Sequence, residues 1–230
     1  MLKTILFIAI LAVAVSDWLA VARSWKKVEY LAKPATMVLL LCYLALAGGF
    51  GATPLILFGL GLFFSLAGDM FLMVSFYRFS NRWFLPGLVA FLLAHVAYII
   101  GFNIPILEAS PVFGIGIAIV LALTAARILR RIVAGVREKG LRRMVAPVVI
   151  YGTVITLMLL SALLTLYRAD WKTSASGLVC LGAILFYFSD IILAWNKFVR
   201  PVKNGRLLNM ISYHLGQIAL IVGVVIQFGK

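Results

Sequence analysis

Long apolar runs alternate with short polar breaks along the whole chain. The runs cover roughly residues 2–23, 31–48, 53–76, 83–102, 111–129, 144–167, 175–198 and 207–228. Most approach or exceed the roughly 20 residues that carry an α-helix across a bilayer's hydrocarbon core. They are too long, and alternate too little, for transmembrane β-strands of about ten residues. Breakers mark the joints: Gly48-Gly49, Pro54, Pro105, Pro111, Pro201 and Gly205 fall at or near run ends. The first run reads as a span, not a cleaved signal. It is long, carries Asp17, and is followed by a basic cluster instead of a small-residue cleavage site. The pattern predicts an all-α, polytopic membrane helix bundle of about eight transmembrane helices, with 1–230 forming a single transmembrane domain.

Composition excludes the other classes. Hydrophobic residues make up 64% of the chain and charged residues 12%, against about 25% charged in a soluble domain. A water-soluble core cannot use that much apolar surface, and disordered chains lack such aromatic and β-branched content. Eight spans leave no room for a second, soluble domain.

Charge adds an orientation. There are 21 Lys and Arg residues against seven Asp and Glu, a net charge of +14. Loops 1–2, 3–4, 5–6 and 7–8 with their flanks hold 17 of the 21; Lys3, Arg168, Lys172 and Lys230 are the rest. Arg78 and Arg82 are the pair in loop 3–4. The positive-inside rule puts these four loops in the cytoplasm and both termini outside, as in a bacterial-type inner membrane. Trp25, Trp83, Trp171 and Trp195 lie near span ends, as an aromatic belt would. The basic excess is therefore an orientation signal, with attraction to anionic membrane lipids second; no nucleic-acid partner is expected. Cys42 and Cys180 lie in apolar runs without metal-ligand spacing and read as small buried hydrophobes.

Two segments resemble each other. GLFFSLAGDMFLM (Gly61 to Met73) and GAILFYFSDIILAW (Gly182 to Trp195) each set an Asp inside an apolar run, and each is followed about 25 residues on by a histidine, His95 or His214. This weak 4+4 parallel repeat has halves 1–110 and 111–230, related by an axis along the membrane normal. It would bring Asp69 and Asp190 to similar depth on facing helices.

The acidic residues then carry the chemistry. Glu29, Glu108, Glu138 and Asp170 fall in loops and read as solvated, whereas Asp17, Asp69 and Asp190 fall inside spans. A carboxyl in hydrocarbon costs several kcal/mol unless paired, neutralised or facing water. Either the carboxyls converge on a polar cavity, or each is a protonated Asp bonded to a backbone carbonyl or a serine such as Ser65 or Ser189. Two carboxyls held close do not both ionise easily, so one becomes an acid and the other stays an anion. His95 reads as a proton shuttle, an Asp partner, a ligand or a packed core histidine. His214 sits with Tyr213 and Gln217 in a second polar cluster. No HxxxH or HxxE pairing exists, and the two histidines fall short of the three used by membrane zinc hydrolases of the ceramidase type. No metal and no organic cofactor is expected. Lys33-Pro34 opens span 2, where Lys33 pairs with a buried Asp, meets a lipid phosphate or snorkels. Asn196 and Lys197 close span 7 on the same side. No GxSxG elbow supports a serine nucleophile.

At these residues the chain resembles the YhhN-like lysoplasmalogenase family of eight-span membrane proteins. The likeness is carried by KPATM (Lys33 to Met37), FSLAGDMFLM (Phe64 to Met73) and GLVAFLLAHVAYIIGF (Gly87 to Phe102). It continues through LGAILFYFSDIILAWNKF (Leu181 to Phe198) and YHLGQ (Tyr213 to Gln217). His214 stands where the family pattern has an aromatic residue, which favours His95 as the working histidine. The resemblance implies hydrolysis of the vinyl-ether bond of a lysoplasmalogen, releasing a fatty aldehyde and a glycerophospho-ethanolamine or -choline. Protonation at the β-carbon gives an oxocarbenium ion, which takes up water and collapses. The slow step needs a general acid and the cation needs an anion, as in glycosidases. The residues expected to carry the reaction are Asp69, Asp190 and His95. Those expected to meet the lysophospholipid-like substrate are Lys33, Tyr98, Asn196, Tyr213, Gln217 and Asp17. A proton-coupled transporter or lipid flippase, with the same aspartates as coupling groups, is the competing class. A structural protein using them as interhelical glue is the third.

Overall fold

A computed structural model describes residues 1–77, 81–105 and 111–229. Arg78, Glu108 and Lys230 of the charge reading lie outside the described residues. Eight helices run through the rest: α1 (Leu2–Ala22), α2 (Lys26–Ala47), α3 (Thr53–Tyr77), α4 (Phe84–Phe102), α5 (Pro111–Glu138), α6 (Val145–Leu164), α7 (Thr173–Ala194) and α8 (Gly205–Phe228). A π-helical turn, Trp195–Val199, extends α7. Among the described residues there is no strand, and eight helices are long and apolar enough to cross a bilayer. The chain is a multi-pass integral membrane protein.

Two helices depart from the hydropathy pattern, both at their polar ends. α2 begins at Lys26 instead of 31, so Pro34 lies inside the helix and Lys33-Pro34 does not open it. Glu29 and Lys33, polar in sequence, are both buried here, so a polar stretch continues the helix. α5 continues to Glu138 instead of ending near 129. Its arginines interrupt the hydropathy but not the helical period. Ile132 and Val136 remain on one face and pack with Phe84, Val148 and Phe198 in a small second core.

Polar contacts at the two ends show the helices running alternately up and down. At one end, the Lys3 ammonium reaches the Ala47 carbonyl at 3.4 Å, the Arg168 guanidinium the Phe102 carbonyl at 2.8 Å, and Lys172 the Ile226 carbonyl at 2.8 Å. At the Lys- and Arg-rich end, Arg206 of α8 pairs with Glu29 of α2. Lys139 donates to the Lys197 carbonyl at 2.7 Å.

Lipid tails are as apolar as leucine, so helices in a bilayer associate through close packing. α7 and α8 meet over glycines. A methyl group on Gly182 would lie 2.7 Å from the backbone nitrogen of Leu220 and 2.8 Å from the carbonyl oxygen of Gly216. Rigid backbone cannot yield as a side chain would. This contact sets Asp190, further along α7, against α8. At the periphery, α5 turns Ile115, Ile119, Val120 and Leu123 outward.

Gly182→Ala is expected to lower stability by about 1–3 kcal/mol through overpacking, seen as a lower thermal midpoint in detergent. Gly177→Ala, on the same helix with nothing within 4 Å of the added carbon, is expected to leave the midpoint unchanged.

Candidate active site

A cavity of about 700 Å³ lies between α2, α3, α4, α7 and α8. Its outer wall includes Glu29, Lys197 and Arg206, so it faces the basic end of the bundle. Five residues singled out in the sequence border it: Lys33, Asp69, Asp190, Asn196 and Tyr213. Asp69 and Asp190 therefore share one space.

Their surroundings differ. Asp69 of α3 is 1% exposed and accepts on both oxygens. The Lys33 ammonium, from α2, stands 2.9 Å from Oδ1, and the Tyr213 hydroxyl, from α8, donates to Oδ2 at 2.7 Å. The same hydroxyl lies 3.4 Å from the Met37 sulfur. Asp69 is thus an ion-paired carboxylate with both oxygens satisfied.

Asp190 of α7 keeps a side chain 13% exposed. Its Oδ2 accepts a short hydrogen bond from the Tyr151 hydroxyl of α6. His95 Nε2, from α4, lies 3.5 Å from that oxygen and 3.1 Å from the Tyr151 hydroxyl. The Ser189 hydroxyl is 3.5 Å from Oδ1. His95 is fully buried, edge-on to Phe186 with ring centroids 4.8 Å apart, and its Nδ1 has no hydrogen-bond partner. The Asn209 amide of α8 donates to the Ser189 carbonyl at 2.7 Å, which fixes the α7 backbone beside Asp190.

Other expected residues sit elsewhere. Tyr98 donates to Gln217 Oε1 at 2.9 Å, and Gln217 Nε2 to the Ser65 hydroxyl at 3.0 Å. This buried chain joins α4, α8 and α3 away from the cavity lining. Asp17 is fully buried in α1 with no hydrogen-bond partner on either oxygen. His214 Nδ1 is 4.0 Å from it and accepts from Trp18 Nε1 at 3.1 Å. That cluster is also separate from the cavity. At the rim, Asn196 Oδ1 accepts from the Val202 amide at 2.6 Å and shapes the turn into α8.

Glu29 corrects the expectation of a solvated loop residue: it is 3% exposed and paired with Arg206. A buried carboxylate needs a cation, and this one lies far along the chain. Tyr151 was missed as well. A tyrosine in an apolar run has no spacing signal, and only the packing of α6 on α7 brings it to Asp190.

The sequence profile of the YhhN family matches residues 28–224. The protein named lysoplasmalogenase TMEM86B from Homo sapiens is 28% identical over 137 residues, covering 60% of this chain and 52% of its own. Its namesake from Mus musculus is 41% identical over 78 residues, covering 34% of this chain and 30% of its own. The Sus scrofa protein of that name is 28% identical over 157 residues, covering 61% and 54%. At its widest the match thus reaches about half the length of these relatives. No solved structure matches.

Lys33→Met strands the Asp69 carboxylate and is expected to destabilise the fold by about 3–5 kcal/mol. Lys33→Met with Asp69→Leu removes both charges and is expected to recover most of that loss. Thermal midpoints in one detergent check the order, and a double variant no more stable than the single one would overturn it.

Proposed function

The chain belongs to the YhhN family, and on that premise we propose that it is a lysoplasmalogenase. It cleaves the vinyl-ether bond of a lysoplasmalogen to a fatty aldehyde and a glycerophospho-ethanolamine or -choline. The observation that carries this reading is the pair of aspartates on one cavity in unlike surroundings. Vinyl-ether hydrolysis needs one carboxyl as a proton donor and one as an anion.

The difference in surroundings favours an assignment. Asp69, ion-paired with Lys33, is the anion facing the oxocarbenium ion. Asp190 is the acid. Its Oδ2 takes the Tyr151 hydrogen bond, which leaves Oδ1 to carry the transferable proton. That proton goes to the β-carbon and the positive charge develops at the carbon bearing oxygen. Asp190, now an anion, takes a proton from the water that adds there. The hemiacetal hydroxyl then gives up its proton as the C=O bond forms and the bond to the glycerol oxygen breaks, and that oxygen takes up one proton to leave as the alcohol. One water is consumed and the acid is restored. His95 and Tyr151 position the Asp190 carboxyl. Lys33 and Tyr213 hold Asp69, and Asn196 at the rim meets the head group beside Lys197 and Arg206. Tyr98, Gln217 and Asp17 stand apart from the reacting groups. The positive-inside rule places the cavity mouth on the cytoplasmic side.

Asp190→Asn and Asp69→Asn are each expected to lower aldehyde release from a lysoplasmalogen by about 10²–10⁴-fold. Asp190→Asn is expected to keep its thermal midpoint, whereas Asp69→Asn strands the buried Lys33 ammonium and is expected to lower it. Tyr151→Phe is expected to fall between these variants and the parent chain. An ester lysophospholipid is expected to yield no product. Full activity in both Asn variants would overturn the mechanism, and flux of intact lipid in proteoliposomes without aldehyde would point to a carrier.

A further inference from the structure

A second, smaller void also borders Asp190. It is a partly open cleft of about 70 Å³ between α4, α5, α6 and α7. At roughly 10–15 Å³ per water-sized group, it has room for about five such groups. The two voids share Phe84, Asp190 and Leu193. Their linings differ: the cavity sets charged and amide groups among apolar ones such as Leu72, Phe76 and Phe91, and the cleft is nearly all apolar. The cavity presents Lys33, Asp69, Asn196, Arg206 and Asn209. The cleft is walled by side chains such as Leu88, Ala125, Leu129 and Ile155, with Gly152 among them. Among the described residues its polar side chains are Tyr151, Tyr187 and Asp190. Two of these are engaged with each other, and the Tyr187 hydroxyl lies 3.4 Å from Thr156 Oγ1.

We propose that this cleft is the subsite for the hydrocarbon chain of the amphiphile whose polar half occupies the cavity. This rests on the lysoplasmalogenase reading and deepens it. A void that carries charged groups and an apolar void, both bordered by one carboxyl, fit a molecule that changes from polar to apolar at one bond. In a lysoplasmalogen that bond is the vinyl ether, so filling both voids sets the β-carbon beside Asp190. A narrow cleft takes one unbranched chain and rejects a branched or doubled one. Outward of the cleft, α5 presents Ile119 and Leu123 to the lipid, so the far end of a long chain continues into the bilayer. Ala125 on α5 and Gly152 on α6 are small residues in its lining whose enlargement narrows the cleft.

The first test reads binding alone. A saturated 1-O-alkyl lysophospholipid with a diazirine midway along its chain has no vinyl ether to cleave. Crosslinking it to the full chain in nanodiscs is expected to label peptides containing Ala125–Leu129 and Gly152–Ile155. Label confined to other helices would overturn the proposal. The second test reads chain length. Ala125→Phe and Gly152→Leu are expected to cut kcat/KM for a long-chain lysoplasmalogen about tenfold or more and to leave a short-chain one within about threefold. The outward-facing variant Ile8→Phe on α1, which lines neither void, is expected to change neither. Equal loss at both lengths, or no loss at either, would overturn the subsite. If the parent chain releases no aldehyde at any length, the functional reading fails, and the crosslinking result still decides the subsite.

Discussion

The Lys33–Asp69 ion pair is the constraint on which the rest of the site depends. Isolated, either charge inside an apolar bundle costs several kcal/mol. Together, at 2.9 Å and with the Tyr213 hydroxyl on the remaining oxygen, they are tolerated. Satisfying them fixes three helices at once, because the groups come from α2, α3 and α8. The pair also forms one wall of the cavity, so the same contact that makes the charges affordable holds the space open beside them.

Against that fixed anion the second aspartate is differently held. Asp190 receives its hydrogen bond from Tyr151 and stands near His95. Two like residues, drawn from similar sequence segments, thus enter one cavity as unlike chemical groups. The bundle polarises the space around them too, with charged and amide side chains on the cavity side and aliphatic ones toward α5. Not every buried polar group belongs to this arrangement. The Tyr98–Gln217–Ser65 chain ties helices together with its hydrogen bonds satisfied. Asp17 and His214 form a cluster apart from the cavity.

The eight helices were legible because hydrophobic period and length are local properties. A bilayer requires roughly 20 apolar residues per span, and that requirement is written directly into the chain. The errors came where polar residues continue a helix, buried in α2 and exposed in α5. Lys26 to Tyr30 looks like a loop until Arg206 supplies the charge opposite Glu29. The arginines of α5 look like a span end until Ile132 and Val136 find Phe198. In each case the compensating group is distant in sequence.

The sequence by itself determined that the chain is a membrane-spanning helical bundle, and it singled out Asp69 and Asp190 from seven acidic residues. Hydrocarbon penalises charge strongly enough that a carboxyl inside a span stands out without any knowledge of the fold. Only the tertiary structure decided what each carboxyl touches. It placed both on one cavity, gave Asp69 a lysine and Asp190 a tyrosine, and sent Tyr98, Gln217 and Asp17 elsewhere. The reason is physical: burial can be read from composition along a helix. A side chain's partner depends on which helix faces it, and that is settled by packing.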